Sequence, residues 1–157
     1  MVLTTPTHES GANNMNRGTE LDVFQNLIRA HELYWGESAR FLKRHNLTMQ
    51  QHNVLCILDQ HDNDEGLPML AIADRLVNRV PDVTRLVDRM ERRGWVTRTR
   101  SQEDRRVVLV NITREGKALA SVQVSLKKFH KKQFGHMNND ELLELNLLLQ
   151  RLLEREL

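Results

Sequence analysis

The chain has 157 residues, a formal net charge of +2 and one cysteine, Cys56. This length suits one ordinary domain, and the lone cysteine excludes an internal disulfide and a metal site built from several thiolates. The lone cysteine also makes a reducing cytoplasm the expected location. No run approaches the ~18 apolar residues of a membrane span. Residues 1–19 are rich in Thr, Asn, Ser and Gly and lack an apolar signal core, which predicts a disordered tail.

The first predicted helix begins near Leu21 and has a broad apolar face. Its apolar residues recur at seven-residue intervals in two adjacent rows, which are Leu21, Ile28, Trp35 and Leu42, and beside them Leu27, Tyr34 and Phe41. Thr48 and Gln51 form a capping box that predicts the start of a second helix. Pro68 fits the first turn of a short third helix.

A fourth helix and a hairpin are predicted next. Residues 82–93 separate at helical spacing into an apolar face and a polar face, and Gly94 stands at the C-terminal cap position. The period then changes from helical to alternating. Residues 95–100 and 107–112 are therefore predicted to be two strands, joined by a polar turn over residues 101–106.

Two amphipathic helices end the chain. Thr113 caps the first, in which apolar residues follow a 3-4-3 spacing as far as Gly135. Asn138 and Glu141 form the capping box of the second. The second helix carries more leucines than one packing face needs, namely Leu142, Leu143, Leu145, Leu147, Leu148, Leu149, Leu152 and Leu153. This surplus predicts that the terminal helices hold a homodimer together.

These elements predict a mainly α fold with a small β-hairpin, a winged helix-turn-helix with N- and C-terminal dimerisation helices. Residues 47–112 form the predicted DNA-binding domain, and residues 20–46 and 113–157 form the predicted helical dimerisation region. The sequence contains no Gly-x-Ser-x-Gly, His-Glu-x-x-His, phosphate loop or dinucleotide fingerprint. We therefore expect neither an enzyme nor a cofactor.

Arginine is concentrated in residues 75–106. This segment contains ten arginines, no lysine and five acidic residues, a net charge of +5 within a chain of +2. Such a concentration favours contact with phosphates. Thr84, Arg85 and Arg89 lie on the polar face of the fourth helix, and an arginine fork can bond both O6 and N7 of guanine in the major groove of duplex DNA.

The tip of the predicted hairpin adds a second basic group. Arg105 and Arg106 suit the adjacent minor groove or the phosphate backbone. The structural alternative for the helix is a solvated face on which Arg85 and Arg89 only pair with Asp82, Asp88 or other neighbouring acids. The alternative for the tip is an ordinary soluble turn. The combination of a helix pair with a basic hairpin favours DNA binding in both places.

Two segments resemble the multiple antibiotic resistance regulator (MarR) family. They are residues 83–96, VTRLVDRMERRGWV, and residues 104–116, DRRVVLVNITREG. The resemblance extends over about residues 21–157 and implies an obligate homodimer that binds a pseudo-palindromic operator as a repressor released by a small ligand. By the family's acid-x-arginine signature in the wing, it also implies that Asp104 orients Arg106.

The sequence departs from the family pattern just before the recognition helix. Family members often place an apolar residue and then a serine cap there, whereas this chain has Asn78, Arg79, Val80 and Pro81. Asp82 is then expected to cap the helix, and Arg79 to supply a phosphate contact. The residues expected to take part in DNA recognition are Arg79, Pro81, Asp82, Thr84, Arg85, Arg89, Asp104, Arg105 and Arg106.

The resemblance further implies a ligand cleft between the first helix, the second helix and the helix after Thr113. There Tyr34 and Trp35 supply apolar walls and His52 a polar contact for a small aromatic anion. The structural alternative for the two aromatic residues is core packing, because they belong to the heptad rows.

Other modes of action stay open at this point. Cys56 is a candidate oxidant sensor, although a cysteine among apolar neighbours is more often a small buried hydrophobe. The candidate metal ligands are four histidines, His31, His45, His130 and His136. No pair of them has the i, i+4 helical spacing with an intervening acid. A winged-helix module that binds protein through its leucine-rich last helix is the third alternative.

Overall fold

The computed structural model describes residues 19–61, 65–76 and 82–154. Within these ranges the mainly helical fold with a small antiparallel sheet is confirmed, and none of the described helices is long and apolar enough to cross a membrane. Most of the predicted tail, together with Arg79 and Pro81, lies outside the described residues. The elements are α1 Glu20–Lys43, α2 Met49–Gln60, β1 Leu67–Pro68, α3 Met69–Arg75, α4 Val83–Arg92, β2 Val96–Arg100, β3 Val108–Ile112, α5 Arg114–Ala120, α6 Val122–Gln133 and α7 Asn139–Leu153.

Side-chain caps fix where the longer helices begin. The predicted capping box before α2 is confirmed, because Thr48 Oγ1 accepts from the Gln51 amide at 3.2 Å while Gln51 Oε1 accepts from the Thr48 amide at 3.0 Å. The box before α7 is confirmed by the equivalent pair of bonds between Asn138 and Glu141. Each box satisfies two backbone N–H groups that the helix itself leaves unpaired.

Both ends of α4 match the prediction. Asp82 Oδ1 accepts from the Arg85 amide at 2.9 Å, so the aspartate does act as the N-cap. Gly94 adopts the left-handed conformation with φ +72°. The Gly94 amide then donates to the Glu91 carbonyl at 2.8 Å and the Trp95 amide to the Met90 carbonyl at 3.1 Å. This pair of bonds is a Schellman ending, which turns the chain sharply from α4 into β2.

The sheet contains a strand that the sequence did not predict. Strands β2 and β3 form the expected antiparallel hairpin, and β1 pairs with β3 through Leu67 opposite Val110 to give the order β1-β3-β2. Pro68 was expected inside the first turn of α3, and this prediction is wrong. Pro68 ends β1 with an extended backbone (φ −56°, ψ 142°) and precedes the helix as its N-cap. Proline lacks an N–H group and is therefore tolerated on this edge strand.

The helix predicted from Thr113 to Gly135 is interrupted. It divides at Ser121 into α5 and α6, and the Ser121 hydroxyl donates to the Ala118 carbonyl at 2.6 Å. A serine that bonds back to the preceding turn competes with the helical hydrogen bonds and commonly bends a helix. The 3-4-3 apolar spacing continues across this break, which is why periodicity alone did not reveal it.

One core joins the sheet to the helices around it. The largest fully buried side chains include Leu42 of α1, Leu55 of α2, Ile72 of α3, Met90 of α4 and Val110 of β3. By contrast, α7 has no buried residue within the single chain. Several apolar residues in α1 and α7 are exposed: Leu21, Val23, Phe24, Leu27, Ile28, Leu33, Leu143, Leu145, Leu147, Leu148, Leu149, Leu152 and Leu153.

Gly116 allows α5 to touch the junction between α4 and β2. A Cβ atom at Gly116 would lie 2.1 Å from the Trp95 carbonyl oxygen and 2.8 Å from Cγ1 of Ile112. The same carbonyl accepts from the Thr113 amide at 3.0 Å, and Thr113 Oγ1 donates to the Gly94 carbonyl at 2.7 Å. Backbone atoms cannot yield as a flexible side chain can, so any larger residue must push the two elements apart.

We therefore expect Gly116→Ala to lower the free energy of unfolding by about 1–3 kcal/mol, the usual cost of overpacking. Gly36 in α1 is the matched control, because the nearest atom to an added Cβ there, apart from its chain neighbours and the backbone of its own helix, is Arg40 Nη1 at 3.6 Å. Gly36→Ala should instead raise that free energy by about 0.5–1 kcal/mol, as alanine favours a helix interior. Urea denaturation of both variants checks this, and effects of the same sign would contradict it.

Candidate nucleic-acid interface

The helix α4 packs one face into the core and presents the other outward. It contacts α2, α3 and β2, and it buries Leu86, Val87 and Met90. Thr84, Arg85 and Arg89, all predicted to contact DNA, are exposed on the opposite side. The arrangement is that of a slim helix with a polar outer surface, held at its back by a rigid core.

Arg85 forms an ion pair with Asp82 through Nε, the inner nitrogen of its guanidinium. Arg85 Nε lies 3.0 Å from Asp82 Oδ2, and the arginine side chain is 79% exposed. The local pairing that was the structural alternative for Arg85 therefore exists. An exposed pair is worth only about 0–1 kcal/mol, whereas a bidentate base contact is worth about 1–3 kcal/mol. The pair uses Nε and leaves the donors of both terminal nitrogens unused by this contact, so it orients the guanidinium without preventing a base contact.

Arg98 joins β2 to α4, a contact that the sequence did not reveal. Its Nε and Nη2 atoms lie 2.8 Å and 2.5 Å from Glu91 Oε2, and its Nη1 atom contacts Asp88 Oδ1. Hydrogen bonding to Glu91 raises the pKa of the Arg98 guanidinium, so the group stays charged. The spacing of Asp88 and Glu91, one turn apart on α4, was the available signal for a basic partner on the strand that follows.

Short hydrogen bonds shape the tip of the hairpin. Ser101 Oγ accepts from the amides of Glu103 at 3.2 Å and Asp104 at 3.4 Å. Asp104 Oδ1 accepts from the Arg106 amide at 2.9 Å, so the acid orients Arg106 through its main chain. Arg100 Nη1 donates to the Arg105 carbonyl at 3.1 Å. The side chains of Arg105 and Arg106 remain exposed at the end of the hairpin.

The residues proposed for a ligand cleft have separate partners. Tyr34 stacks on Phe134 with ring centroids 4.6 Å apart, whereas Trp35 stacks on His31 at 5.7 Å. His52 is only 2% exposed, and its Nε2 lies 3.5 Å from Cys56 Sγ. Burial lowers the pKa of His52, so its imidazole is neutral near pH 7. Tyr34 thus contacts the end of α6, whereas Trp35 and His52 each stack on or contact a residue of their own helix.

A polar network lies on the neighbouring part of α6. Gln133 Nε2 donates to Glu37 Oε2 of α1 at 2.7 Å, and Gln133 Oε1 lies 2.7 Å from His130 Nδ1. Within the described ranges, no three His, Cys, Asp or Glu side chains stand close enough to hold a metal ion.

Burial and, to a smaller extent, the charge of Asp59 raise the pKa of the Cys56 thiol to about 11. The thiol is therefore protonated at neutral pH, which disfavours rapid oxidation.

Comparisons with known proteins point in one direction. The family model described as "MarR family" matches residues 47–108. The homoprotocatechuate degradative operon repressor of Escherichia coli is 28% identical over 125 residues, covering 79% of this chain and 82% of the repressor. A MarR transcription factor from Planctomyces limnophilus is 36% identical, with TM-score 0.65 and coverage of 84% of this chain and 96% of that one.

A further solved structure shares the fold at lower identity. It is BpsR of Bordetella bronchiseptica, described for the regulation of its DNA binding by 6-hydroxynicotinic acid. It is 21% identical, with TM-score 0.75, and covers 92% of this chain and 100% of its own. The winged helix-turn-helix predicted from sequence is thus confirmed by the folds that this chain matches.

Proposed function

This chain belongs to the MarR family of DNA-binding transcriptional regulators, and from that membership we propose that it is a homodimeric repressor released from its operator by a small ligand. The observation that carries the proposal is the exposed polar face of α4 beside an ordered basic hairpin tip. The operon repressor from Escherichia coli supports the sign of regulation. A regulator of this kind acts in the cytoplasm, where its DNA is.

In this proposal α4 enters the major groove and the hairpin tip follows the adjacent minor groove or backbone. Thr84, Arg85 and Arg89 meet base edges, and Asp82 fixes the first turn of the helix. Arg105 and Arg106 supply the tip contacts, with Asp104 holding the turn. Arg79 and Pro81, which lie outside the described residues, are proposed to approach the phosphates before α4.

The response to salt tests the proposal against a protein-binding module. Each phosphate that the protein neutralises releases counterions, so log K for duplex DNA falls with log salt at a slope of about −0.9 per phosphate. We expect a steep slope for this protein on any duplex. An interface formed by the apolar residues of α7 would hardly respond to salt. Fluorescence anisotropy of a labelled duplex from low to high salt distinguishes these cases, and a flat response would remove DNA as the partner.

The wing arginines have a separate signature. Arg105→Ala and Arg106→Ala should each weaken binding to all duplexes similarly, and each should reduce the salt slope by about one unit if that arginine neutralises one phosphate. Lys128→Ala is the control, because Lys128 is exposed on α6 and its substitution removes the same charge. Should either wing variant keep the wild-type slope, that arginine is not a phosphate ligand.

The proposed effector is a small aromatic anion that binds between α1, α2 and α6. Tyr34 and Trp35 supply aromatic surface there and His52 a polar contact. The regulation of the Bordetella protein by 6-hydroxynicotinic acid supports this chemical class. Because His52 is almost fully buried, a ligand must separate the helices to reach it, and that separation changes the spacing of the two recognition helices in a dimer.

Coupling between ligand and operator must be reciprocal. We expect an aromatic carboxylate that releases DNA to bind free protein more tightly than operator-bound protein, by a coupling of about 1–3 kcal/mol. The operator must weaken the ligand by the same factor as the ligand weakens the operator, because both equilibria share one coupling free energy. Calorimetric titration with and without operator measures this. Equal ligand affinities in the two titrations would rule out the release mechanism.

A further inference from the structure

Arg98 uses most of its donors on one short stretch of α4. Besides the guanidinium contacts to Asp88 and Glu91, its backbone amide donates to Glu91 Oε1 at 3.2 Å. The side chain is 31% exposed, and the two carboxylates are 37% and 35% exposed. A planar fork held by two carboxylates has one orientation, unlike the flexible end of a lysine. The contact therefore fixes an angle as well as a distance.

That angle matters because a small rotation at the base of the hairpin becomes a large displacement at its tip. From the level of Arg98, which pairs with Val110, about five residues lead to the tip, or roughly 17 Å at the rise of a strand. A rotation of about 10° at the base then moves the tip by roughly 3 Å. A hydrogen bond tolerates only a few tenths of an ångström. The tip arginines consequently reach their contacts only if the base of the hairpin is held.

We propose that Arg98 is a positioning residue for operator recognition, which locks the hairpin to the recognition helix through Asp88 and Glu91. This inference rests on the proposed operator binding. Arg98 itself does not touch DNA in this arrangement. It sets the angle at which Thr84, Arg85 and Arg89 in the major groove and the tip arginines beside it engage one half-site together.

A purely electrostatic role is the main competing explanation. Asp88 and Glu91 flank the outer face of α4, and without Arg98 their charges would repel phosphates. The two roles separate in a variant that removes all three charges at once. If Arg98 only neutralises the acids, then adding Asp88→Asn and Glu91→Gln to an Arg98→Gln protein restores its preference for the operator. If Arg98 positions the hairpin, they do not, because the amides cannot rebuild the charged fork.

The experiment compares the full-length wild type, Arg98→Gln and the triple variant Asp88→Asn, Glu91→Gln, Arg98→Gln on two duplexes of equal length. One carries an operator selected by the wild type, and the other a scrambled sequence. Lys128→Gln controls for the removal of one positive charge. We expect both Arg98 variants to lose about tenfold of the operator-to-scrambled affinity ratio, the discrimination of one base contact, whereas their altered net charge shifts the affinity for both duplexes alike and cancels in that ratio.

Three results would overturn the inference: an unchanged ratio in both variants, full recovery in the triple variant, or an equal loss on both duplexes with a shallower salt slope. The last result would make Arg98 a phosphate ligand. Urea unfolding shows whether each variant is folded, and if Arg98→Gln is not, the triple variant alone decides, since it leaves no unpaired charge. A wild type that does not prefer its operator would instead refute the proposed function.

Discussion

A chain truncated after Met137 should sediment as a monomer at micromolar concentration. Within one chain α7 buries no residue, so its removal leaves the core around α2, α4 and the sheet intact. The leucines of α7 are nevertheless exposed, with Leu153 at 85% and Leu143 at 59%. Apolar surface contributes roughly 25 cal/mol per Å² when it is buried, so we infer that a second copy covers this helix.

Loss of the dimer should also lower the affinity of the protein for its operator. Two half-sites about one helical turn apart are gripped together only if the two wings are linked, and that linkage is worth about 10²–10⁴ in affinity. Leu148→Glu should give the same result in the full-length chain, whereas Gln150→Glu, which adds the same charge to the same helix, should leave the dimer intact. Sedimentation and operator titration measure both effects. A truncated protein that still dimerises would show that α7 is not the dimer contact.

Arg85→Ala should lower operator affinity by about 1–3 kcal/mol and relax the base preference at one position in each half-site. The expected cause is the removal of a bidentate interaction with a base, since the guanidinium of Arg85 contacts Asp82 through Nε and its two terminal nitrogens are not used by that contact. Selection of bound sequences by the variant, beside the wild type, reads both quantities.

Asp82→Asn is the matched control for this effect. Asparagine caps a helix about as well as aspartate. The hydrogen bond that the Arg85 backbone amide donates to residue 82 is therefore kept, while the ion pair is removed. If Arg85 reads a base, Asp82→Asn should preserve the preference that Arg85→Ala destroys. If Arg85 serves only the local ion pair, neither substitution should alter the selected sequence.

Features set by neighbouring residues were predictable from the sequence. The capping boxes at Thr48 and Asn138, the Asp82 cap and the Gly94 ending all depend on a few consecutive residues and an apolar period. For the same reason the hairpin strands were placed within one residue of their observed bounds. Exposure of Thr84, Arg85 and Arg89 followed from the helical period alone.

Features set by contacts between distant segments were not predictable. Strand β1 exists because Leu67 finds Val110 across the sheet, and two residues carry no period of their own. Arg98 is one of the ten arginines in residues 75–106, and its partners became clear only when the Gly94 turn brought β2 back along α4. The stacking of Tyr34 on Phe134 likewise depends on how α6 returns to α1. The spacing of residues along the sequence does not specify such long-range contacts.

A dimer of this chain should read an inverted pair of half-sites, and selection from random duplex DNA is the decisive test of that recognition. The full-length protein is incubated with the random pool, bound duplexes are recovered over several rounds, and the enriched sequences are aligned. We expect a pseudo-palindrome whose half-site centres lie about 10–10.5 base pairs apart. A pool that stays random, or that enriches a single half-site without its inverted repeat, would show that the chain does not bind DNA in this way.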